Sequence, residues 1–260
     1  MDTGTPVIAL DHPSAYDPER VGRKAATLAV ARGMGLPVGP GVVLTSDWSP
    51  DQGGVLHQVW RTISHDGARP LVVRRSPMAC AARQPREPWI VGPVRSVSGA
   101  QEFTAAVEAA HDPCNAVLVQ PVADAAWRGI VFGDGPETGR RTRPVVACIA
   151  ASTPEDVWVA EIDHHGRVRD VISGGDALAP PVELTAMLAR LSRRVDRTFD
   201  GSHDVDWVAR PDASLRLVDV RPGLVADQWV MPPAEASSAA TPLAEELSRA
   251  ERRALLLALA

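Results

Sequence analysis

An α+β fold is what this sequence predicts, and three observations predict it. Runs of β-branched and apolar residues, short enough to be single strands, end on turn residues, and several fall in pairs around such turns. Between them lie stretches with apolar residues at helical spacing, the clearest being 182–199 with Leu184, Met187, Leu188, Leu191 and Val195 on one side. The chain of 260 residues is 45% hydrophobic and 23% charged, enough for one large domain or two small lobes with a real core.

Composition also excludes partners. A net charge of −5 favours neither a nucleic-acid backbone nor an anionic membrane. The polar, acidic N-terminus does not read as a signal peptide, and no apolar run is long enough to cross a bilayer. Cys80, Cys114 and Cys148 are far apart and form no CxxC pattern, so they read as reduced thiols of a cytoplasmic protein.

Taken in order, residues 1–20 read as a polar lead-in. Val21, Ala25, Leu28 and Ala29 then mark a short amphipathic helix ended by Gly33 and Gly35. Lys24 sits in its first turn, where free N–H groups and the positive dipole end favour anions. It is the only lysine among 27 basic residues, in a chain that otherwise uses arginine. A lysine is a compact point charge suited to phosphate, whereas arginine is a rigid fork. Residues 35–45 then read as a loop entering a strand. Residues 52–64 read as a helix. Residues 70–76 form a buried strand that runs into Arg74 and Arg75, 77–88 a loop, and 101–110 a helix. Strands follow at 115–122, 129–132 and 144–149, the last two flanking a turn at 133–143. Strands 157–162 and 168–172 form a hairpin around Asp163-His-His-Gly166, where the adjacent histidines belong to a turn rather than a metal site. Residues 226–260 read as a Pro/Ala/Ser linker and a terminal helix.

The segment 204–221 carries the most chemistry. It reads as two strands, 204–210 and 215–221, around Pro211-Asp-Ala-Ser214. Pairing back from that turn, with Arg210 opposite Leu215, sets Trp207 opposite Val218 and Val205 opposite Val220 on an apolar face. On the other face Asp206 lies opposite Asp219, and Asp204 opposite Arg221. Like charges directly opposite on a sheet repel, so such a pair holds a cation between its members or keeps one protonated. Mg²⁺ takes oxygen ligands of this kind, often with phosphate oxygens, and Arg221 on the same face either holds a phosphate or balances the charge. The alternative is a surface hairpin whose acids face water.

Five blocks, in order, resemble the N-terminal domain of pyruvate phosphate dikinase and phosphoenolpyruvate synthase. Val21-Gly-Arg-Lys-Ala-Ala-Thr-Leu28 with Gly35-Leu-Pro-Val-Gly-Pro-Gly-Val-Val-Leu-Thr45 is similar to that family's G-G-K-x-x-x-L helix and G-[LV]-P-V-P-x-G-F strand. Leu71-Val-Val-Arg-Arg-Ser76 resembles V-R-S-S. Val117-Leu-Val-Gln-Pro-Val122 and Gly129-Ile-Val-Phe-Gly-Asp-Gly-Pro-Glu-Thr-Gly139 resemble V-Q-x-M-V and G-V-x-F-T-x-D-P-x-T-G. Asp204-Val-Asp-Trp207 and Leu217-Val-Asp-Val-Arg-Pro222 resemble D-I-E-W and L-L-Q-x-R-P. The same domain occurs in rifampin phosphotransferases.

The resemblance implies an ATP-grasp fold with ATP bound in a cleft between two lobes, here 1–115 and 116–225, trimmed relative to the family. It assigns Lys24 and Arg74 to phosphates, Gln120 to Val122 to the hinge beside adenine, Asp206 and Asp219 to Mg²⁺, and Arg221 to the transferring phosphoryl group. This chain departs from the pattern in several places. Asp206 stands for Glu, Asp219 for Gln, Arg23 for Gly, Arg75 for Ser and Gly133 for Thr. The glycine-bearing phosphate loop gives way to a shorter 77–94 segment, and Ile149-Ala-Ala-Ser152 stands about where G-L-G-E belongs. Thr62-Ile-Ser-His65 only superficially resembles the T-S-H motif of the family's phosphohistidine domain. The expected function is therefore ATP- and Mg²⁺-dependent phosphoryl transfer, to a small molecule or to a separate protein carrying the phosphohistidine or acceptor domain, with 226–260 as its docking segment. The alternative is a pseudoenzyme that binds nucleotide or a partner without turnover. A carboxylate–amine ligase is a third reading.

Overall fold

The computed structural model of the chain describes residues 5–49, 54–78, 96–133 and 143–223, and only the backbone of residues 154 and 155. The described residues fall into two compact units, the first ending at Asp124 and the second starting at Ala125. Each is built on one antiparallel sheet, with three α-helices packed on the first and one on the second among the described residues, which is the α+β class the sequence predicts. Cys80, most of the 77–94 segment, residues 134–142 and the 226–260 segment lie outside the described residues. No helix among the described residues is long and apolar enough to cross a membrane.

The first sheet has the order β1-β2-β5-β3-β4, with β1 at Val7–Ala9, β2 at Val42–Leu44, β3 at Leu71–Pro77, β4 at Ser96–Val97 and β5 at Asn115–Pro121. Helices α2 (Val55–Ser64) and α3 (Ala100–Ala110) cover one face, where Val59, Phe103 and Val107 pack on Leu44, Leu71, Val117 and Val119. Helix α1 (Pro18–Gly33) lies on the other face of β3, its Ala25 N–H bonded to the Ser76 side chain. Two expectations need correcting here. Residues 1–20 are not merely a lead-in: the apolar run 7–9 pairs with β2, and Asp17 caps α1 by accepting from the Glu19 N–H. Strand β5 does not open the second lobe at 116. It is hydrogen-bonded between β2 and β3, so the boundary falls after Asp124.

The second sheet has the order β11-β10-β6-β7-β8-β9. Its strands are β6 (Trp127–Phe132), β7 (Val145–Ala150), β8 (Thr153–Ile162), β9 (Val168–Ser173), β10 (His203–Ala209) and β11 (Leu215–Pro222). Helix α4 (Val182–Phe199) buries Leu184, Leu188, Leu191 and Val195, as its period predicts, and packs on β10. Met187 is only half-buried. A second apolar cluster gathers Ile130, Phe132, Ala147, Ile149 and Val159. Cys148 is a buried thiol, and burial pushes it up to about 12.

The two histidines between β8 and β9 do sit in a turn. The Asp163 carboxylate accepts from the backbone N–H groups of His165 and Arg167 and from Arg169. Burial alone would raise the Asp163 pKa, but these donors outweigh it and hold the carboxyl well below the usual range. Thr62-Ile-Ser-His65 is likewise structural. It ends α2, with Ser64 Oγ accepting from the Gly67 N–H.

Candidate functional site

In the second unit the hairpin β10–β11 sets Asp206 opposite Asp219, Asp204 opposite Arg221 and Val205 opposite Val220, as the sequence predicts. The turn end differs. Ala209, not Arg210, faces Leu215, and Trp207 faces Leu217 rather than Val218. The loop 210–214 is closed by Arg210 N–H to Ser214 O and Ala213 N–H to Arg210 O, with the Asp212 carboxylate accepting from the Ser214 N–H. That loop alone would shift the register by one residue and turn one strand's carboxylate to the wrong face. A bulge between 206 and 207 absorbs the shift, so Trp207 and Leu217 stay in the core and the two carboxylates meet.

Arg221 lies on both carboxylates. Its Nε donates to Asp219 Oδ2 at 3.0 Å and its Nη2 to Asp206 Oδ2 at 3.2 Å. The cation required between two opposed acids is therefore supplied by the chain itself. The members differ in exposure. The Asp219 side chain is 4% exposed and Asp219 Oδ1 accepts from the Val220 N–H, whereas the Arg221 side chain is 26% exposed. Asp206 pairs with Ile130, which places the carboxylates on the same sheet face as the apolar cluster of β6, β7 and β8. Among the described residues no group of three or more His, Cys, Asp or Glu side chains is arranged to hold a metal.

Two neighbours of this pair carry no role in the sequence reading. Asp204 is buried, and its Oδ1 accepts from the Gly133 N–H at 3.1 Å. A Cβ at Gly133 would overlap the Ser202 hydroxyl and come within 2.6 Å of the His203 carbonyl, so the threonine of the resembled motif has no room here. His203 is the other. Its pKa is raised chiefly by the Asp196 carboxylate, whose Oδ1 lies 3.7 Å from Nδ1; burial works against this, and the Gly201 carbonyl and the charge of Asp204 add to it. A raised folded pKa means that the stability His203 lends is fully present below its unfolded value of about 6.5, and is lost as pH rises through the folded value. Moving from pH about 5.5 to about 8 is expected to lower the urea midpoint of the parent more than that of His203→Gln. An equal drop in both proteins would remove His203 from the pH response.

In the first unit Arg74 and Gln120 share one sheet face. Antiparallel pairing puts Arg74 beside Leu118, Val72 beside Gln120 and Ser76 beside Ala116, all on the face that carries α1. Arg75 points the other way, its guanidinium donating to the Ala109 carbonyl at the end of α3. Lys24 is half-buried and follows a kink in α1 at Gly22, which has φ +74°. Beyond that kink the helix starts afresh, so Lys24 does stand in a first turn. Its cap comes from a distant strand: Ser76 Oγ accepts from the Ala25 N–H at 2.9 Å. The motif Leu71–Ser76 contained this serine, but only tertiary contact shows that it caps the lysine helix. Val122 follows β5, its N–H donated to the Pro70 carbonyl.

No protein-family model and no curated protein matches the chain. It is similar to solved structures of ligases. One is the D-alanine–D-alanine ligase from Coxiella burnetii, at 17% identity over 80% of this chain and 49% of that one, with a TM-score of 0.46. Another is the D-alanyl-alanine synthetase A from Vibrio cholerae O1 biovar eltor, at 12% identity over 79% and 56%, with a TM-score of 0.48. A third is the D-alanine–D-alanine ligase from Bacillus anthracis, at 15% identity over 77% and 56%, with a TM-score of 0.45. The chain spans about half the length of these structures.

Proposed function

We propose that the chain is a cytoplasmic ATP-grasp protein that binds Mg²⁺·ATP and carries out phosphoryl transfer. The observation that carries this reading is the hairpin register, which opposes Asp206 and Asp219 and lays Arg221 on both. The donor set fits the metal: carboxylate oxygens are the hard ligands Mg²⁺ takes, and the position already accommodates a cation. Asp206 and Asp219 would hold the ion, which when bound neutralises phosphate charge during transfer. Lys24 and Arg74 hold phosphate oxygens, one as a point charge and one as a fork. Gln120 and the Val122 carbonyl meet the adenine edge. Arg221 meets the transferring phosphoryl group. Catalysis on these terms is positioning and charge neutralisation.

The acceptor is a small molecule or a separate protein with a phosphohistidine or acceptor domain. Products tell the chemistries apart, AMP with phosphate marking dikinase transfer and ADP a simple kinase or ligase. Calorimetry with Mg²⁺, with and without ATP, tests the site. Binding is expected only with nucleotide, since two carboxylates leave most of the shell to phosphate and water. Equal affinity in Asp206→Asn and the parent would sink the metal assignment. One observation favours the second reading, binding without turnover. The arginine needed at the phosphoryl group is already engaged by two carboxylates. Absence of either nucleotide product, together with retained ATP binding, would select that reading.

A further inference from the structure

We propose that Arg221 is an exchangeable cation. It neutralises the carboxylate pair while nucleotide is absent, and gives way to Mg²⁺ only when phosphates arrive for its guanidinium to move onto. The proposal rests on the metal reading of the hairpin and explains why metal and nucleotide would have to bind together.

The geometry is unusual for an arginine. The two N–H groups on one edge of a guanidinium commonly meet the two oxygens of a single carboxylate. Here Nε and Nη2 are divided between Asp219 and Asp206, on neighbouring strands. One guanidinium edge thus spans the gap that a bridging cation would span. Asp219 is fixed, being buried at the sheet with its second oxygen on the Val220 N–H. Arg221 is the movable member, near the end of β11 with a quarter of its side chain exposed.

The energetics give the order of events. A divalent ion that arrives alone must displace a cation tethered two residues away on the same strand, and the displaced guanidinium gains only water in return. A divalent ion that arrives with a nucleotide brings phosphate oxygens, for which a guanidinium fork is well matched, so both cations end paired with anions. The carboxylates are never left opposed without a cation, the arrangement that costs most. Metal affinity and nucleotide affinity are then coupled, each raising the other by the same factor.

The test uses Mn²⁺, followed by its electron paramagnetic resonance signal, on the full chain. Without nucleotide, Arg221→Met is expected to bind Mn²⁺ about tenfold or more tighter than the parent, within the usual range of coupling between sites. Adding ATP is expected to tighten Mn²⁺ in the parent far more than in Arg221→Met. Arg221→Lys, which keeps a positive charge at the site, serves if the methionine variant does not fold, because one ammonium cannot span both carboxylates as the fork does; it should also gain Mn²⁺ affinity. On the parent itself, the Arg221 Nε–H resonance is expected to shift with Mg²⁺ and ATP together and not with Mg²⁺ alone. If parent and variants bind Mn²⁺ equally without nucleotide while ATP tightens all of them, the exchange is wrong and the metal site stands. If none binds Mn²⁺ even with ATP, the metal reading fails and the exchange fails with it.

Discussion

Gly22→Ala is expected to lower the stability of the chain by about 2–6 kcal/mol and to displace Lys24. Two costs add. The position has φ +74°, where a residue with a Cβ is strained by about 1–3 kcal/mol. The Cβ would also overlap the backbone carbonyl of Ser76, which cannot rotate away, and forced overpacking costs about 1–3 kcal/mol more. A suitable control is Gly54, which also has positive φ, at +85°, but where a Cβ would meet no atom of the other described residues within 4 Å. Gly54→Ala should therefore cost only the backbone strain, about 1–2 kcal/mol. Urea unfolding of both variants separates the two costs. Equal losses would mean that the contact between α1 and β3 is looser than its geometry indicates.

Lys24→Met is expected to weaken ATP binding by about 1.5–3 kcal/mol, roughly ten- to a hundredfold, the range for hydrogen bonds to charged groups. The melting temperature should stay the same or rise slightly. A lysine in a first helical turn opposes the helix dipole by about 0.3–1 kcal/mol, so helix stability does not account for it there. The helix start is secured instead by the Gly22 kink and by the Ser76 hydroxyl on Ala25, neither of which uses the Lys24 side chain. Melting temperature and ATP affinity must be read on the same preparation. A variant that melts much lower, or binds ATP as well as the parent, would assign Lys24 a structural role and favour the reading without turnover.

Much of the site was legible because its determinants are local. Counting back from a four-residue turn, the opposition of Asp206 and Asp219 could be read, but the loop that forms has five residues and the opposition holds only because a bulge restores the register. The bulge could not, because it is the sheet's response to a five-residue loop and to the need to bury Trp207 and Leu217 together. Arg74 and Arg75 read alike in the sequence. Strand alternation separates them, and only the sheet says that one faces α1 and the other ends on α3.

By itself the sequence determined the helices with a clear period and the strands bounded by turn residues, since each depends on spacing within a few residues, whereas the opposition of the two carboxylates also needed the bulge. The tertiary structure decided what depends on distant chain segments meeting. It decided that β5 belongs between β2 and β3, that Ser76 caps the lysine helix across 51 residues, that Gly133 has no room for a side chain against Ser202 and His203, and that Arg221 itself lies between the two acids. Pattern fixes which face a side chain takes, but the partner it meets there is set by packing between segments that the chain brings together only on folding.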